Sequence, residues 1–372
     1  MQLVFAIKSL NVVAGGAERV LVDVTGGLSR RGHDITVVTF DQPGGESRYP
    51  LDPSIHRVDL GIGAAGQRAR VVETLKRTFR LRRVITDLRP DAVVAFMHSM
   101  FIPMGVAMLG SGVPVIASEH DVPALYARRP LDRLLLHFVP QVARTITVPS
   151  PGVRDSYPPY FRRHMVPIAN PVTLAPGVRA DPAGAGAARK VILSIGRLSE
   201  QKDQATLIDA FALLATEFPD WDVRIAGEGE LRPMLEAKIA AHRLGDRIAL
   251  LGSVSAIERE YAAAQIYAHP ALYESFGLVV AEALGYGLPV AAFADCLGAA
   301  ERVRDRRNGM LVSGTDRACA LADALRRLMS DAALRVELGE AGTASVQGDT
   351  LGPVTRLWED LLQNTIARTE QA

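Results

Sequence analysis

Lys190-Val-Ile-Leu-Ser-Ile-Gly-Arg-Leu-Ser-Glu-Gln-Lys202 is the stretch on which the fold turns. Its first half, Lys190–Ile195, is a short apolar run rich in β-branched residues, halted by Gly196 and followed by a helical pattern over Gln204–Thr216. An apolar run of this length between turn signals, with a helix behind it, reads as a parallel strand buried on both faces. The pattern repeats downstream as Trp221–Ala226, helix Glu230–His242, Ile248–Leu251, helix Glu258–Ala264, Ile266–His269, helix Gly277–Gly285 and Pro289–Ala294. It also runs upstream as Leu3–Ile7, helix Ala17–Arg30, Asp34–Thr39, a basic helical stretch near 67–89, Ala92–Phe96, Pro114–Ser118 and Thr145–Pro149. Between the two series lie Pro171, Pro176, Gly177, Pro182, Gly184 and Gly186, a linker composition. The expected fold is α/β: a first domain over 1–170, a linker over 171–188, a second domain over 189–350 and a terminal segment over 351–372. In that segment the amphipathic stretch Val354–Ile366, carrying Leu357, Trp358, Leu361 and Leu362, is free to pack back on the first domain. Ligands of open α/β sheets bind beyond the carboxyl ends of the strands, so two such domains would place their loops on opposite walls of one cleft.

A chain of 372 residues exceeds what one core usually organises, and 48% hydrophobic with 22% charged residues is ordinary for a globular protein. The net charge of +1 gives no electrostatic reason to coat nucleic acid. Cys296 and Cys319 are the only cysteines and lack metal-ligand spacing, which suggests neither a disulfide framework nor zinc and fits a reducing compartment. Met1–Lys8 has no basic region or cleavage site and reads as a strand rather than a signal peptide. The apolar region 92–117 is interrupted by His98 and by prolines and glycines, well short of the roughly 18 residues of a spanning helix. A cytoplasmic protein is expected.

Four loops hold the candidate chemistry. Gly15-Gly16, between the first strand and first helix, either lets backbone amides approach an anion or makes a tight turn. His120 follows a strand and is either a sugar contact or a satisfied structural residue. Gly196-Arg197 and Lys202 offer a planar fork and a mobile ammonium around one turn, suited to clamping a diphosphate, against the plainer reading of solvated charge. In Glu274-Ser-Phe-Gly-Leu-Val-Val-Ala-Glu282 the first glutamate lies in a loop and the second in a helix. Glu274 then points to a ligand, the amides of Phe276, Gly277 and Leu278 to phosphate, and Glu282 to ribose hydroxyls. Asp220-Trp-Asp222 leads into a strand and reads as a turn, not a magnesium site.

In this order and spacing the segments resemble glycosyltransferase family 4, retaining enzymes of the GT-B fold. The most specific parts are Glu274 to Glu282, Gly196-Arg197 with Lys202, and Gly227-Glu-Gly229-Glu230. The opening Gly-Gly-Ala-Glu-Arg19 and Arg31-Gly32-His33 look like bacterial members that build surface polysaccharides or lipid-linked oligosaccharides. The resemblance implies a hexosyltransferase whose donor is a nucleotide diphosphate sugar, UDP ahead of GDP, with no other cofactor and no metal. It implies that Arg197 and Lys202 bind the diphosphate with the Ser275–Leu278 turn, Glu282 the ribose, Val254 the base, and Glu274 the sugar. Gly15, Gly16 and His120 would serve the reaction from the first domain. It implies retained configuration, with the leaving phosphate drawing the acceptor's proton and charge stabilised by Arg197, Lys202 and the helix start. Glu274 as nucleophile stays open. An epimerase of the same fold, a transferase with a soluble acceptor and a non-catalytic binding protein are the rivals.

The stretch from Arg68 to Arg89 also holds Arg70, Lys76, Arg77, Arg80, Arg82 and Arg83, against two acids. Lys76, Arg80 and Arg83 share a helical stripe beside Val71, Val72, Leu75 and Phe79. An amphipathic cationic helix of this kind suits anionic lipid or the diphosphate of a polyprenyl-linked saccharide acceptor, placing the protein peripherally on the inner face of the cytoplasmic membrane. The alternative is a solvated helix whose apolar side packs on the sheet.

Overall fold

A computed structural model describes residues 1–11, 15–62, 71–126 and 130–371. Arg68 and Arg70 lie outside the described residues, as do the side chains of Val71 and Val72. The chain forms two units, Met1–Pro171 with Asp349–Ala372, and Val172–Gly348.

The first unit holds seven strands: β1 (Gln2–Ala6), β2 (Asp34–Thr39), β3 (His56–Asp59), β4 (Ala92–Phe96), β5 (Val115–Ser118), β6 (Thr145–Val148) and β7 (Met165–Pro167). They pair in the order β3-β2-β1-β4-β5-β6-β7, all parallel. Central strands such as β4 are buried along their whole length, which is why they read as unbroken apolar runs. The terminal helix Leu351–Glu370 belongs to this unit and completes its core with Val354, Trp358 and Leu362. Trp358 packs edge-on to Phe5 and stacks on Phe96, with centroids 6.4 and 6.2 Å away. Deleting an aromatic from such a site costs about 3–5 kcal/mol, so this helix is an integral part of the unit. Arg31 and His33 both pair with Glu359 and fasten the helix from outside.

The second unit holds β8 (Lys190–Ile195), β9 (Trp221–Ala226), β10 (Ile248–Gly252), β11 (Ile266–His269), β12 (Val290–Phe293) and β13 (Gly309–Val312). Their order is β10-β9-β8-β11-β12-β13, again all parallel. Asp220 pairs with Lys190, and Asp222 with Arg189 and Arg247, so the Asp-x-Asp anchors the start of β9.

Helix limits differ from expectation where local chemistry intervenes. The helix expected over Gln204–Thr216 stops at Ala212, because Leu214 bonds three residues back to Phe211 and tightens the chain. The one expected from Glu230 begins at Arg232, with Pro233 in its first turn. The one expected from Gly277 begins at Leu278, since Gly277 is its left-handed cap.

The helix Val71–Leu88 packs inward through Leu81 and Ile85, not through Leu75 and Phe79, which are 54% and 74% exposed. Arg77 is buried, with its guanidinium over Phe40 and donating to the Ile62 carbonyl. Arg82 donates to the Ala107 and Leu109 carbonyls at the end of the helix His98–Ala107. Two of the basic residues therefore have structural work, while Lys76, Arg80 and Arg83 stand exposed.

Candidate active site

In each sheet the strands are added first to one side of the starting strand and then to the other. The switch falls between β1 and β4 in the first unit and between β8 and β11 in the second. Loops leaving such neighbouring strands diverge and leave a crevice where ligands bind.

At the second switch, the loop after β8 carries Gly196, Arg197 and Lys202, and the loop after β11 carries Glu274. Lys202 donates to Glu274 Oε1 across the crevice. Burial lowers the Lys202 ammonium to about 8, and nearby Arg197 adds to this. Arg197 itself is exposed and enters no ion pair among the described residues. The Glu274 loop is held by its backbone: Gly298 N–H donates to the Glu274 carbonyl at 3.0 Å, and Gln201 bonds both Leu272 N–H and the Tyr273 carbonyl. Its backbone is thus fixed while the Glu274 carboxylate keeps its side-chain torsions.

Gly277 caps the helix Leu278–Gly285 at φ 74°, a conformation that favours glycine. The first amides of a helix lack intrahelical acceptors, so this turn presents donors suited to an anion. Ser275 is half-buried, and Phe276 is buried beneath the Arg302 guanidinium. Glu282, in the body of the helix, is only 3% exposed and accepts from Tyr261 Oη at 2.9 Å. Val254 is half-buried in the loop after β10. Gly227 closes this side: a Cβ there would fall 2.0 Å from the Gly196 carbonyl oxygen, so only glycine lets the loops after β8 and β9 meet.

Sequence reasoning assigned no role to His269, the last residue of β11. It is 2% exposed, its Nε2 lies 3.9 Å from Glu274 Oε1, and that nitrogen has no hydrogen-bond partner among the described residues. The signal was a polar residue closing an apolar strand just before Pro270.

In the first unit, Gly15 precedes the helix Gly16–Ser29 as its cap, and a Cβ on Gly16 would meet none of the described atoms within 4 Å. His120, beyond β5, stacks on Phe96 at 5.0 Å, which itself stacks on Trp358. Thr147 Oγ1 donates to Ser118 Oγ, which in turn shares a hydrogen bond with His120 Nε2 at 3.0 Å. Burial keeps the His120 ring neutral, down at about 4. A neutral imidazole can donate to a sugar hydroxyl. Beneath it, Glu119 takes the His120 and Asp121 amides and the Tyr126 hydroxyl, and burial raises it well above the usual carboxylate range. Among the described residues no group of three or more His, Cys, Asp or Glu could hold a metal ion.

Residues 14–175 match the family model described as Glycosyltransferase Family 4, and residues 181–345 the one described as Glycosyl transferases group 1. The chain is 26% identical over 340 residues to the GalNAc-alpha-(1->4)-GalNAc-alpha-(1->3)-diNAcBac-PP-undecaprenol alpha-1,4-N-acetyl-D-galactosaminyltransferase of Campylobacter jejuni, covering 91% of each chain. Its fold matches sucrose-phosphate synthase from Thermosynechococcus elongatus with a TM-score of 0.83 at 20% identity, over 99% of this chain and 100% of that one. It matches Anabaena HepE, solved in complex with UDP, with a TM-score of 0.77 at 18% identity, over 98% and 100% of the two chains. Two parallel-sheet α/β units with this strand order place the fold in the GT-B class of glycosyltransferases. The chain belongs to glycosyltransferase family 4, and its activity is that of a hexosyltransferase.

Proposed function

We propose that this transferase moves a hexose or N-acetylhexosamine, with retention, from a UDP-sugar to a saccharide carried on polyprenyl diphosphate, working peripherally at the inner face of the cytoplasmic membrane. The observation that carries the donor half is the meeting of Lys202 and Glu274 at the β8/β11 switch, with exposed Arg197 beside them. Lys202 and Arg197 bind the diphosphate together with the amides of the Ser275–Leu278 turn and oppose the charge that develops as it leaves. Glu274 then addresses the sugar, Glu282 the ribose and Val254 the base. In the first unit, Gly15 and Gly16 offer amides, and His120 a neutral N–H, to a sugar or phosphate group. The departing phosphate takes the acceptor's proton, so the reaction asks for no metal and no cofactor beyond the donor. Uridine is favoured by the UDP complex of a protein of the same fold.

The acceptor half is supported by the polyprenyl-linked substrate of the Campylobacter relative and by the outer face of the helix Val71–Leu88. There exposed Leu75 and Phe79 lie among Lys76, Arg80 and Arg83, and half-exposed Val106 and Leu109 stand at the helix end that Arg82 joins to it. Apolar side chains rimmed by cations fit an anionic bilayer surface, each cation being worth about 1 kcal/mol there. No described helix is long and apolar enough to cross a membrane.

Reversing Lys76, Arg80 and Arg83 to glutamate together is expected to cut transfer to a lipid-linked acceptor in anionic vesicles by roughly a hundredfold or more, the size set by three such contacts. Transfer to a soluble analogue of the same saccharide should be unchanged. Equal losses with both acceptors, or none with either, would contradict the membrane reading.

A further inference from the structure

Few buried side-chain polar atoms among the described residues lack a hydrogen-bond partner, and one of them is on His269. Buried polar atoms nearly always have a partner, yet its Nε2 has none among the described residues and stands 3.9 Å from Glu274 Oε1, just beyond hydrogen-bonding reach. The oxygen it faces is the one Lys202 now holds. The ring cannot easily move: it is 2% exposed and stacked on Tyr267, whose hydroxyl donates to the Ile195 carbonyl. The carboxylate can move, because the bonds that fix its loop are made by backbone groups.

We propose that His269 is a positioning residue that takes over Glu274 when the donor diphosphate draws Lys202 away, its Nε2–H donating to Glu274 Oε1. This rests on the donor-site reading above. A half-buried carboxylate that loses its paired cation needs a new donor, and the orphaned Nε2 of His269 stands 3.9 Å away. A neutral donor suits the task, since a second cation there would compete with the sugar for the carboxylate's charge. Burial first, and Lys202 second, keep the ring neutral by pushing it down to about 3. Glu274 therefore has a resting partner, Lys202, and a working partner, His269, and the exchange couples donor entry to the placement of the carboxylate against the sugar.

The test uses His269→Phe, which keeps a stacked ring without the N–H, and His269→Gln, which restores an N–H at similar reach. The nucleotide probe is whichever of UDP, GDP or ADP binds the wild type most tightly. His269→Phe is expected to lower kcat by roughly 10- to 100-fold, the worth of one hydrogen bond to a charged group. The Kd for the nucleotide should rise as well, because its diphosphate draws Lys202 away and leaves Glu274 without a replacement donor in the variant. The unfolding temperature should not fall, and His269→Gln should recover most of kcat. A His269→Phe enzyme with wild-type kcat overturns the proposal. So does a kcat loss accompanied by a lower unfolding temperature, which marks a structural role, and so does a glutamine variant as slow as phenylalanine. A wild type that binds none of the three nucleotides overturns the donor-site reading itself, a result separate from any of these.

Discussion

Replacing Glu274 with glutamine is expected to slow sugar transfer by roughly a hundredfold to a thousandfold, the range seen when one preorganised charge-stabilising group is removed from an active site. Nucleotide binding should hold or tighten, because Lys202 would no longer be shared with a carboxylate. Glutamine is the informative substitution. Alanine would leave the half-buried Lys202 ammonium without an acceptor at this position, whereas glutamine keeps an oxygen there. Transfer rates together with a nucleotide titration on the Glu274→Gln protein check this. A variant that transfers at the wild-type rate would remove Glu274 from the site.

Lys202→Met should act on the other half of the pair. Removing one partner of a desolvated charge pair costs about 2–5 kcal/mol, so kcat/KM for the donor should drop at least about thirtyfold. The pH dependence is more telling. The protonated ammonium is the form that binds phosphate, and burial has lowered Lys202 to about 8. In the wild type kcat/KM, which reports the free enzyme, should therefore fall as pH rises through about 8. Lys202→Arg should retain binding and lose that alkaline limb, since a guanidinium stays charged throughout. An alkaline limb that persists in Lys202→Arg would assign it to another group.

What the sequence displays of this fold follows from burial. β2, β4, β8, β9 and β11 occupy the residues their apolar runs suggest, because a parallel strand covered on both faces has little room for polar side chains. The strands left unread are edges. β3 is His56-Arg-Val-Asp59, β7 is three residues ending in Pro167, and β13 starts on Gly309; each is short or polar because one side lacks a neighbouring strand. Residues 172–188, linker-like in composition, lie in the second unit, where Arg335 bonds the Pro182 and Ala183 carbonyls. At the candidate site, charged residues just after strands were visible because loops rarely strand them without a partner. The support behind them was not. The stack Trp358–Phe96–His120 joins residues from three distant parts of the chain, and the unpaired nitrogen of His269 is a property of packing alone. The same limit applied to the basic helix, where Arg77 and Arg82 turned out to serve structure while Lys76, Arg80 and Arg83 remained outside.

The most direct test of the account is the mass of the lipid product after the protein is incubated with UDP-hexoses or UDP-N-acetylhexosamines and a polyprenyl-diphosphate-linked saccharide. The account predicts a lipid heavier by one sugar residue, with one UDP released per sugar gained and the donor's anomeric configuration preserved. Epimerised or free sugar with the lipid mass unchanged would contradict it.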